Sequence, residues 1–321
     1  MTNDASPIDP QAQAVLDAIR QSGAPPYHTL PAAAAREFYR SARGALGLDP
    51  PEVAEIRDLQ ATGPHGPAPI PLRLYRPFGT VAEAVLPALV YYHGGGWVIG
   101  DLDTHDTVCR QLANRAGCAV VAVDYRLAPE HKFPAAVVDA FAALRFVAHE
   151  AGSLRIDPAR LAVGGDSAGG NLATVVALLA RDSAFAGLRF QVLLYPATDF
   201  QGQYESQARL ADGYLLTRAN QDWFRDQYLR SDADRADWRA SPILAPDLAG
   251  LPPAYVMTAG FDPLSDEGQA YADRLEAAGV AVTRRQFAGQ IHGFLTMGKA
   301  IGAAATALAE AGDAVKAALA A

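Results

Sequence analysis

The sequence has little cysteine and no excess of positive charge. Its two cysteines, Cys109 and Cys118, form no C-x-x-C pair and have no histidine at ligand spacing, so we expect buried thiols in a reducing compartment and no metal site. Lys and Arg number 27 against 35 Asp and Glu, a net charge of −8. This sign is wrong for neutralising nucleic-acid phosphates or an anionic membrane. We therefore expect a small-molecule partner and no nucleic acid.

A long uninterrupted hydrophobic run is also missing. The N-terminal residues 1–20 are acidic where a secretory signal is basic, and they lack an apolar core, so no export is expected. The alanine-rich residues 300–321 contain Glu310, Asp313 and Lys316, which favours a helix packed on the fold over a membrane span. We expect a cytoplasmic protein with no membrane insertion. Half of the residues are hydrophobic, which is enough for a large core.

From residue 70 onward, β-rich segments alternate with helix-length segments. The segments that predict strands are PLRLYRP, LPALVYYH, CAVVAVDY, RLAVGG, FQVLLYP, PAYVMTAG and VTRRQF. Several are apolar throughout, as strands buried on both faces are. The pattern predicts an α/β fold with a mostly parallel sheet covered by helices, whose ligands bind at the carboxyl ends of the strands.

Two regions interrupt this alternation. Residues 1–50 are helical in character around 11–20 and 32–42, and residues 199–248 carry aromatic side chains among many charges. Both predict the halves of a helical cap over the strand ends, with peripheral packing as the alternative. The α/β core would then consist of residues 51–198 and 249–321.

Three consecutive glycines, Gly94, Gly95 and Gly96, follow an apolar strand in YYHGGGWVIGD. Glycine costs roughly 0.5–1 kcal/mol relative to alanine in a regular element, so a backbone must approach something closely here. A flexible turn, a phosphate loop and an oxyanion-binding loop are the alternatives. No G-x-G-x-x-G follows a strand, and the near match GFLTMGKA has Ala300 where a magnesium-binding hydroxyl belongs. We therefore expect no nucleotide and favour the oxyanion loop.

A candidate nucleophile lies in Gly165-Asp166-Ser167-Ala168-Gly169, which matches G-x-S-x-G between a strand-like and a helix-like segment. Glycine on both sides lets a sharp turn expose the serine hydroxyl at the top of the sheet. The alternative is that Ser167 is only a helix N-cap. The upstream H-G-G-G favours the nucleophile.

The base and the acid follow from chain order, which is serine, acid, histidine in this class of fold. Only one histidine, His292, lies downstream of Ser167. Asp199 and Asp262 both follow strands and could orient its imidazole. We favour Asp262, because one helix and one strand separate it from His292 as in a regular βαβ step.

These motifs resemble the hormone-sensitive lipase family of α/β-hydrolases, particularly its bacterial carboxylesterases. The matching residues, in the family's order, are HGGGWVIGDLDTHD (93–106), DYRLAPEHKFPAA (124–136), GDSAGGNLA (165–173), DPLSDEG (262–268) and HGF (292–294). The resemblance implies an α/β-hydrolase fold with about eight strands and a helical cap. It also implies the catalytic residues Ser167, Asp262 and His292, which supports Asp262 over Asp199.

The resemblance further implies a serine carboxylesterase for short- to medium-chain acyl esters that needs no cofactor or metal. Gly95, Gly96 and Ala168 would bind the oxyanion, Gly94 would shape the turn, and His93 would brace it. We expect a pocket lined by Trp97, Tyr195, Leu215 and Phe224.

Three questions stay open in the sequence. Amide, carbamate or lactone hydrolysis would use the same residues, and a non-catalytic receptor on this fold is disfavoured by His292. Asp266 and Glu267 either support the acid loop or face solvent. The family implies a homodimer through residues 280–287, but Arg284 and Arg285 could instead protect an open sheet edge.

Overall fold

The computed structural model describes residues 7–62 and 69–320. These residues form a fold whose centre is an eight-stranded sheet with the strand order β1-β2-β4-β3-β5-β6-β7-β8. The strands are β1 (Glu55–Thr62), β2 (Pro69–Arg76), β3 (Leu86–Tyr92), β4 (Ala119–Val123), β5 (Ile156–Asp166), β6 (Leu188–Leu194), β7 (Ala254–Phe261) and β8 (Val282–Ile291). Strands β3 to β8 run parallel, whereas β2 is antiparallel to both β1 and β4. The predicted mostly parallel sheet is confirmed.

The segments that the sequence predicts as helical all contain an α-helix. The α-helices are α1 (Pro10–Ser22), α2 (Ala32–Leu46), α3 (Asp106–Ala116), α4 (Ala135–His149), α5 (Ala151–Leu154), α6 (Ala168–Asp182), α7 (Glu205–Arg209), α8 (Arg218–Tyr228), α9 (Ser265–Ala277) and α10 (Ala303–Leu319). Short 3₁₀ turns cover Tyr27–Thr29, Asp232–Ala236, Pro242–Leu244 and Phe294–Thr296.

Strand β1 is the one strand that no sequence segment predicted. It is an edge strand, and its sequence EIRDLQAT is largely polar and exposed. An edge strand with one face in solvent lacks the apolar run that identifies the central strands. It pairs with β2 along its full length, from Glu55 with Arg76 to Thr62 with Pro69. This pairing stabilises the strand although its sequence has no apolar run.

The core lies on both faces of the sheet because alternate side chains of the central strands point in opposite directions. Along β3, Leu89 and Tyr91 belong to one buried cluster with residues of α3 and α10, while Val90 and Tyr92 belong to the other with residues of α4 and α6. Helices α3 and α10 approach closely at Gly312, where a Cβ would lie 2.7 Å from Cβ of Arg115. Both free cysteines are buried.

The strand register brings the predicted functional residues to one edge. Tyr92 pairs with Gly165, so the glycine loop after β3 lies beside the turn after β5. Phe261 pairs with Ile291, and the residues that follow them are Asp262 and His292. Parallel strands carry their carboxyl ends to the same edge, so these loops meet there.

The two regions outside the alternation contact each other. The backbone N–H of His28 donates to Oδ1 of Asn220, 3.2 Å away, which joins the turn before α2 to α8. Helix α1 packs elsewhere, because its buried residues Ala12, Val15 and Leu16 belong to the core cluster that contains α10. Within residues 7–62 and 69–320, no helix combines the length and apolar character that a bilayer crossing requires.

Candidate active site

Ser167 lies on a sharp turn between β5 and α6. Its backbone has φ 55° and ψ −116°, a conformation that costs a non-glycine residue of the order of 1–3 kcal/mol and that persists only where the surrounding structure enforces it. Here its N–H donates to the carbonyl of Leu194 at 2.8 Å. The residue occupies the N-cap position of α6, but its side chain makes no capping hydrogen bond. Its hydroxyl is free for another role.

The glycines flanking Ser167 are required by contact with the end of β3. A Cβ on Gly165 would lie 2.3 Å from the carbonyl oxygen of Tyr92, and a Cβ on Gly169 would lie 1.8 Å from the same atom. Such separations are far below van der Waals contact. The motif therefore requires these two glycines because the turn packs closely on the neighbouring strand.

His292 lies between Ser167 and Asp262. Its Nε2 is 2.9 Å from Oγ of Ser167, and its Nδ1 is 2.6 Å from Oδ2 of Asp262. Asp262 is fully buried, and its other oxygen accepts the backbone N–H of Leu264 at 2.8 Å. An ionised carboxylate can only accept, so it fixes the proton on Nδ1 and leaves Nε2 to accept from the serine hydroxyl. This is the geometry of an activated serine.

The alternative acid, Asp199, does not reach the imidazole. Its Oδ2 accepts from the hydroxyl of Tyr204 at 2.8 Å, and its Oδ1 accepts the N–H of Gln201 at 2.8 Å. Both oxygens are therefore used within its own loop. The structure brings Asp262, and not Asp199, against His292.

The glycine loop presents unpaired backbone N–H groups beside Ser167. Among the residues that the structure describes, the N–H groups of Gly95, Gly96 and Ala168 have no hydrogen-bond acceptor. Gly95 and Gly96 are partly exposed, so their N–H groups remain available to donate to a bound atom. Gly94 differs, because its N–H donates to Oδ1 of Asp166 at 2.9 Å. Gly94 thus serves the turn and cannot also donate to a substrate.

A buried polar network holds the glycine loop against the serine turn. Asp166 accepts from the hydroxyl of Tyr91 at 2.8 Å and lies 3.3 Å from Nε2 of His105. Burial alone would raise the pKa of this carboxyl, but His105, Tyr91 and His93 outweigh it and lower the pKa to about 2. Nδ1 of His93 lies 2.7 Å from the carbonyl oxygen of Gly94, and this second contact also holds the glycine loop in place.

Glu267 supports the acid loop from inside the protein. It is buried, and its carboxyl accepts the N–H of Thr198 at 2.7 Å and the side-chain amide of Gln207 at 3.1 Å. Burial raises its pKa to about 8, with the charge of Asp199 adding to the effect. Asp266 accepts the N–H of Ser206 at 2.8 Å. Neither side chain simply faces solvent.

Glu267→Gln is expected to remove a pH-dependent loss of stability. Between about pH 4.5 and 8 the folded protein keeps this proton while the unfolded chain loses it, so the free energy of unfolding falls as pH rises. Glutamine stays neutral, so the variant should match the wild type at pH 5 and exceed it at pH 8 by a few kcal/mol. Thermal unfolding across this pH range measures the difference.

The matched control for this prediction is Glu37→Gln, because Glu37 is an exposed glutamate on α2. The difference in free energy of unfolding between the Glu37→Gln variant and the wild type should not change with pH. A difference between Glu267→Gln and the wild type that is constant from pH 5 to 8 would contradict the buried-carboxyl explanation.

A cavity of about 160 Å³ opens over Ser167 and His292. Three predicted pocket residues, Trp97, Leu215 and Phe224, line it. Tyr195 does not: it is fully buried, with its ring centroid 4.9 Å from that of His292, and it packs behind the imidazole. Its position directly after β6 brings it under the strand ends instead of over them.

Sequence reasoning missed part of the cavity wall. Tyr27, Tyr39 and Arg43, all from the N-terminal region, line the cavity together with Ser167. No motif could have identified them, since they lie more than a hundred residues before the serine and reach the cavity only through the packing of α2 and of the 3₁₀ turn Tyr27–Thr29. Among the described residues, no three His, Cys, Asp or Glu side chains lie close enough together to hold a metal ion.

The fold and this site define a class of protein: an α/β hydrolase with a serine turn at the centre of the sheet. The match to a family model agrees with this class. Residues 89–296 match the model described as "alpha/beta hydrolase fold", which covers well over half of the chain. The chain belongs to this family, and the relationship inferred from its motifs is confirmed.

Several similar proteins are named as ester hydrolases. The carboxylic ester hydrolase LipN of Mycobacterium tuberculosis is 53% identical over 76% of this chain and 65% of its own length, slightly less than two thirds of that relative. The ethyl acetate hydrolase of Pseudomonas putida is 44% identical over 86% of this chain and 87% of its own. A solved structure of the ester-hydrolase EH1AB1 from the Lake Arreo metagenome, complexed with a derivative of bipyridine phosphonate, is 46% identical. It superposes with a TM-score of 0.91 over 97% of this chain and 98% of its own.

Proposed function

We propose that this protein is a serine carboxylesterase that hydrolyses short- to medium-chain acyl esters through Ser167, His292 and Asp262. The observation that carries the proposal is the hydrogen-bonded chain from Ser167 Oγ to His292 and on to Asp262, at 2.9 and 2.6 Å. The names of the three similar proteins reported above, each an ester hydrolase, support the choice of an ester as the bond that is cleaved.

In the first half of the reaction, Ser167 Oγ attacks the ester carbonyl while His292 Nε2 takes its proton. The buried Asp262 stabilises the imidazolium that forms. His292 then gives this proton to the leaving alcohol, and the acyl group stays on Ser167. The proton is thus moved within the site, and no other acid is required.

The oxyanion that forms in both halves of the reaction is bound by the N–H groups of Gly95, Gly96 and Ala168. These donors are fixed before substrate arrives, because the loop is held by Asp166 and His93 and the third donor opens helix α6. Preorganised donors need no rearrangement as charge develops, so they stabilise the transition state more than the substrate.

In the second half, His292 removes a proton from a water molecule that attacks the acyl-enzyme. The same N–H groups bind the second oxyanion, and Ser167 recovers its proton as the carboxylic acid leaves. A receptor without turnover on this fold is disfavoured, because the chain of hydrogen bonds from serine to acid is complete.

We also propose that residues 1–50 and 199–248 form a two-part cap over the site. The hydrogen bond from His28 to Asn220 and the shared lining of the cavity by Tyr39 and Phe224 support this division. Dimerisation through β8 stays a proposal: β8 is an edge strand, and Arg284 is already paired with Glu276 there.

The test is a series of p-nitrophenyl esters from acetate to palmitate. We expect the largest kcat/KM at acetate to hexanoate, since the cap aromatics close over a small cavity, and a steep fall for longer chains. Initial rates of p-nitrophenol release measure this. A kcat/KM that climbs steadily to palmitate would contradict the chain-length proposal, and a folded protein silent on every ester would contradict the esterase.

A further inference from the structure

Arg43 is a buried cation in the wall of the catalytic cavity. It lies in the last turn of α2, is 8% exposed, and lines the cavity together with Ser167 and His292. Its guanidinium carbon lies 4.6 Å from the ring centroid of Tyr39. Removing a charge from water is costly unless the charge is paired and hydrogen-bonded, so a buried arginine at a cavity requires a physical explanation.

The guanidinium of Arg43 lacks the partners that its neighbours have. Its Nε and Nη1 are buried without a hydrogen-bond acceptor among the residues that the structure describes. On the same helix, Arg36 pairs with Glu130 at 2.5 Å and Arg40 pairs with Asp101 at 2.6 Å. The aromatic face of Tyr39 and the carboxyl end of α2 offset part of the charge, but they accept none of these N–H groups.

The other arginines that line the cavity have acceptors. Arg225 pairs with Asp222 at 2.6 Å, Arg218 pairs with the same carboxylate at 3.2 Å, and Arg235 donates to the carbonyl of Phe200 at 2.7 Å. Each is thereby neutralised or hydrogen-bonded within the protein. Arg43 differs from them because its buried Nε and Nη1 have no acceptor among the described residues.

Among the described residues, none of the carboxyl groups that line the cavity accepts a hydrogen bond from Nε or Nη1 of Arg43. Asp166 and Asp199 accept from the hydroxyls of Tyr91 and Tyr204, both at 2.8 Å. Burial keeps the pKa of Glu267 at about 8, so this carboxyl is mostly neutral at pH 7. Among the described residues of the wall, Arg43 is thus the cation whose buried donors have no acceptor.

The charge of Arg43 acts at the catalytic end of the cavity. Burial raises the pKa of Tyr195, and the Arg43 cation opposes this rise. The Tyr195 ring in turn lies 4.9 Å, centroid to centroid, from that of His292. A ligand bound by Arg43 would thus share the cavity with the reacting atoms.

We propose that Arg43 recognises a carboxylate on the substrate, so that the protein acts on esters that carry a second, anionic carboxyl group. The proposal rests on the esterase function above and specifies its substrate class. Guanidinium N–H groups match a carboxylate in geometry and charge, and the interaction is strong where water is excluded. Anchoring this group would hold the ester carbonyl over Ser167 and lower KM.

Two pairs of esters test the proposal and locate the carboxylate. Monomethyl glutarate and methyl 5-methylhexanoate differ only by a carboxylate against an isopropyl group on the acyl side. 4-Acetoxybutanoate and 4-methylpentyl acetate make the same comparison on the alcohol side. Proton release at neutral pH gives kcat and KM for all four. We expect one charged ester to exceed its neutral partner in kcat/KM, which identifies the side.

Arg43→Met should lower the charged-to-neutral ratio of kcat/KM by at least about tenfold, mainly through KM, since the loss is one of binding. Arg43→Lys should retain part of the ratio because it keeps the charge but not the planar fork. The matched control is Arg40→Met, which removes a paired and more exposed arginine from the same helix. It should leave the ratio unchanged.

An equal ratio in Arg43→Met and the wild type would overturn the proposal, as would a wild type that discriminates against both charged esters. If Arg43→Met does not fold, the wild type alone decides: glutarate should inhibit competitively and the uncharged glutaramide should not. Inhibition by inorganic phosphate as strong as that by glutarate would overturn a site for a substrate carboxylate.

Failure of the esterase function is distinguishable from failure of this proposal. Hydrolysis of the neutral esters reports on the esterase, and the charged-to-neutral ratio reports on Arg43. If no ester is hydrolysed, thermal unfolding with glutarate still tests the cation. A rise in Tm with glutarate that is larger for the wild type than for Arg43→Met supports the site, and equal rises overturn it.

Discussion

Ser167→Ala is expected to lower kcat for p-nitrophenyl butyrate by at least about 10⁴-fold with little change in thermal stability. The hydroxyl removed is the one 2.9 Å from His292, and alanine leaves no atom that can form an acyl-enzyme. The residual rate over water would come from the oxyanion-binding N–H groups and from binding alone. Initial rates and a thermal unfolding curve measure both quantities.

Ser153→Ala is the matched control for this variant, since Ser153 is an exposed serine that does not line the cavity and whose hydroxyl donates to the carbonyl of Glu150. It should retain full activity. A phosphonate ester should add its mass to the wild type and to the control, but not to Ser167→Ala. Activity of Ser167→Ala within tenfold of the wild type would exclude this serine as the nucleophile.

Gly95→Ala is expected to lower kcat by at least about 100-fold, because it displaces the loop that carries two of the proposed oxyanion donors. Gly95 has φ 119°, and a Cβ there would lie 2.2 Å from the carbonyl oxygen of Ile99. Backbone cannot yield as a flexible side chain can, so the N–H groups of Gly95 and Gly96 must move. The measurement is kcat and KM for the same ester, with Tm.

Gly117→Ala separates this effect from backbone strain in general. Gly117 also has a positive φ, 64°, but a Cβ there would meet nothing within 4 Å. Alanine in this conformation costs roughly 1–2 kcal/mol of stability, so Tm should fall while kcat stays at the wild-type value. A folded Gly95→Ala variant with unchanged kcat would rule out the loop as the oxyanion site.

Several features of the site could be predicted because they depend on short-range geometry. A serine on a strained turn beside a strand needs glycine on both sides. The reason is steric, because a Cβ on Gly165 or Gly169 would clash with the carbonyl oxygen of Tyr92. The order of serine, acid and histidine follows from the order of the strands, and register then brings the residues after Phe261 and Ile291 together. The division into cap and core, by contrast, stays a prediction.

Other features could not be predicted because they depend on which loop packs against which. The strand-helix spacing favours Asp262 over Asp199, but the contact of Asp262 with His292 and that of Asp199 with Tyr204 come from the packing of the loops. Tyr195 reads as a pocket residue from its place after β6, but it is buried behind the imidazole. Strand β1 was missed because a polar edge strand has no apolar run.

The sequence alone determined the α/β fold, the serine turn, the glycine loop and the single downstream histidine, since each depends on residues adjacent in the chain or on a regular strand-helix repeat. Only the tertiary structure decided that Gly94 donates to Asp166 while, among the described residues, the N–H groups of Gly95 and Gly96 have no acceptor and Arg43 enters the cavity without an ion-pair partner. Local motifs encode backbone conformation, whereas the pairing of a buried charge depends on side chains that distant segments bring together.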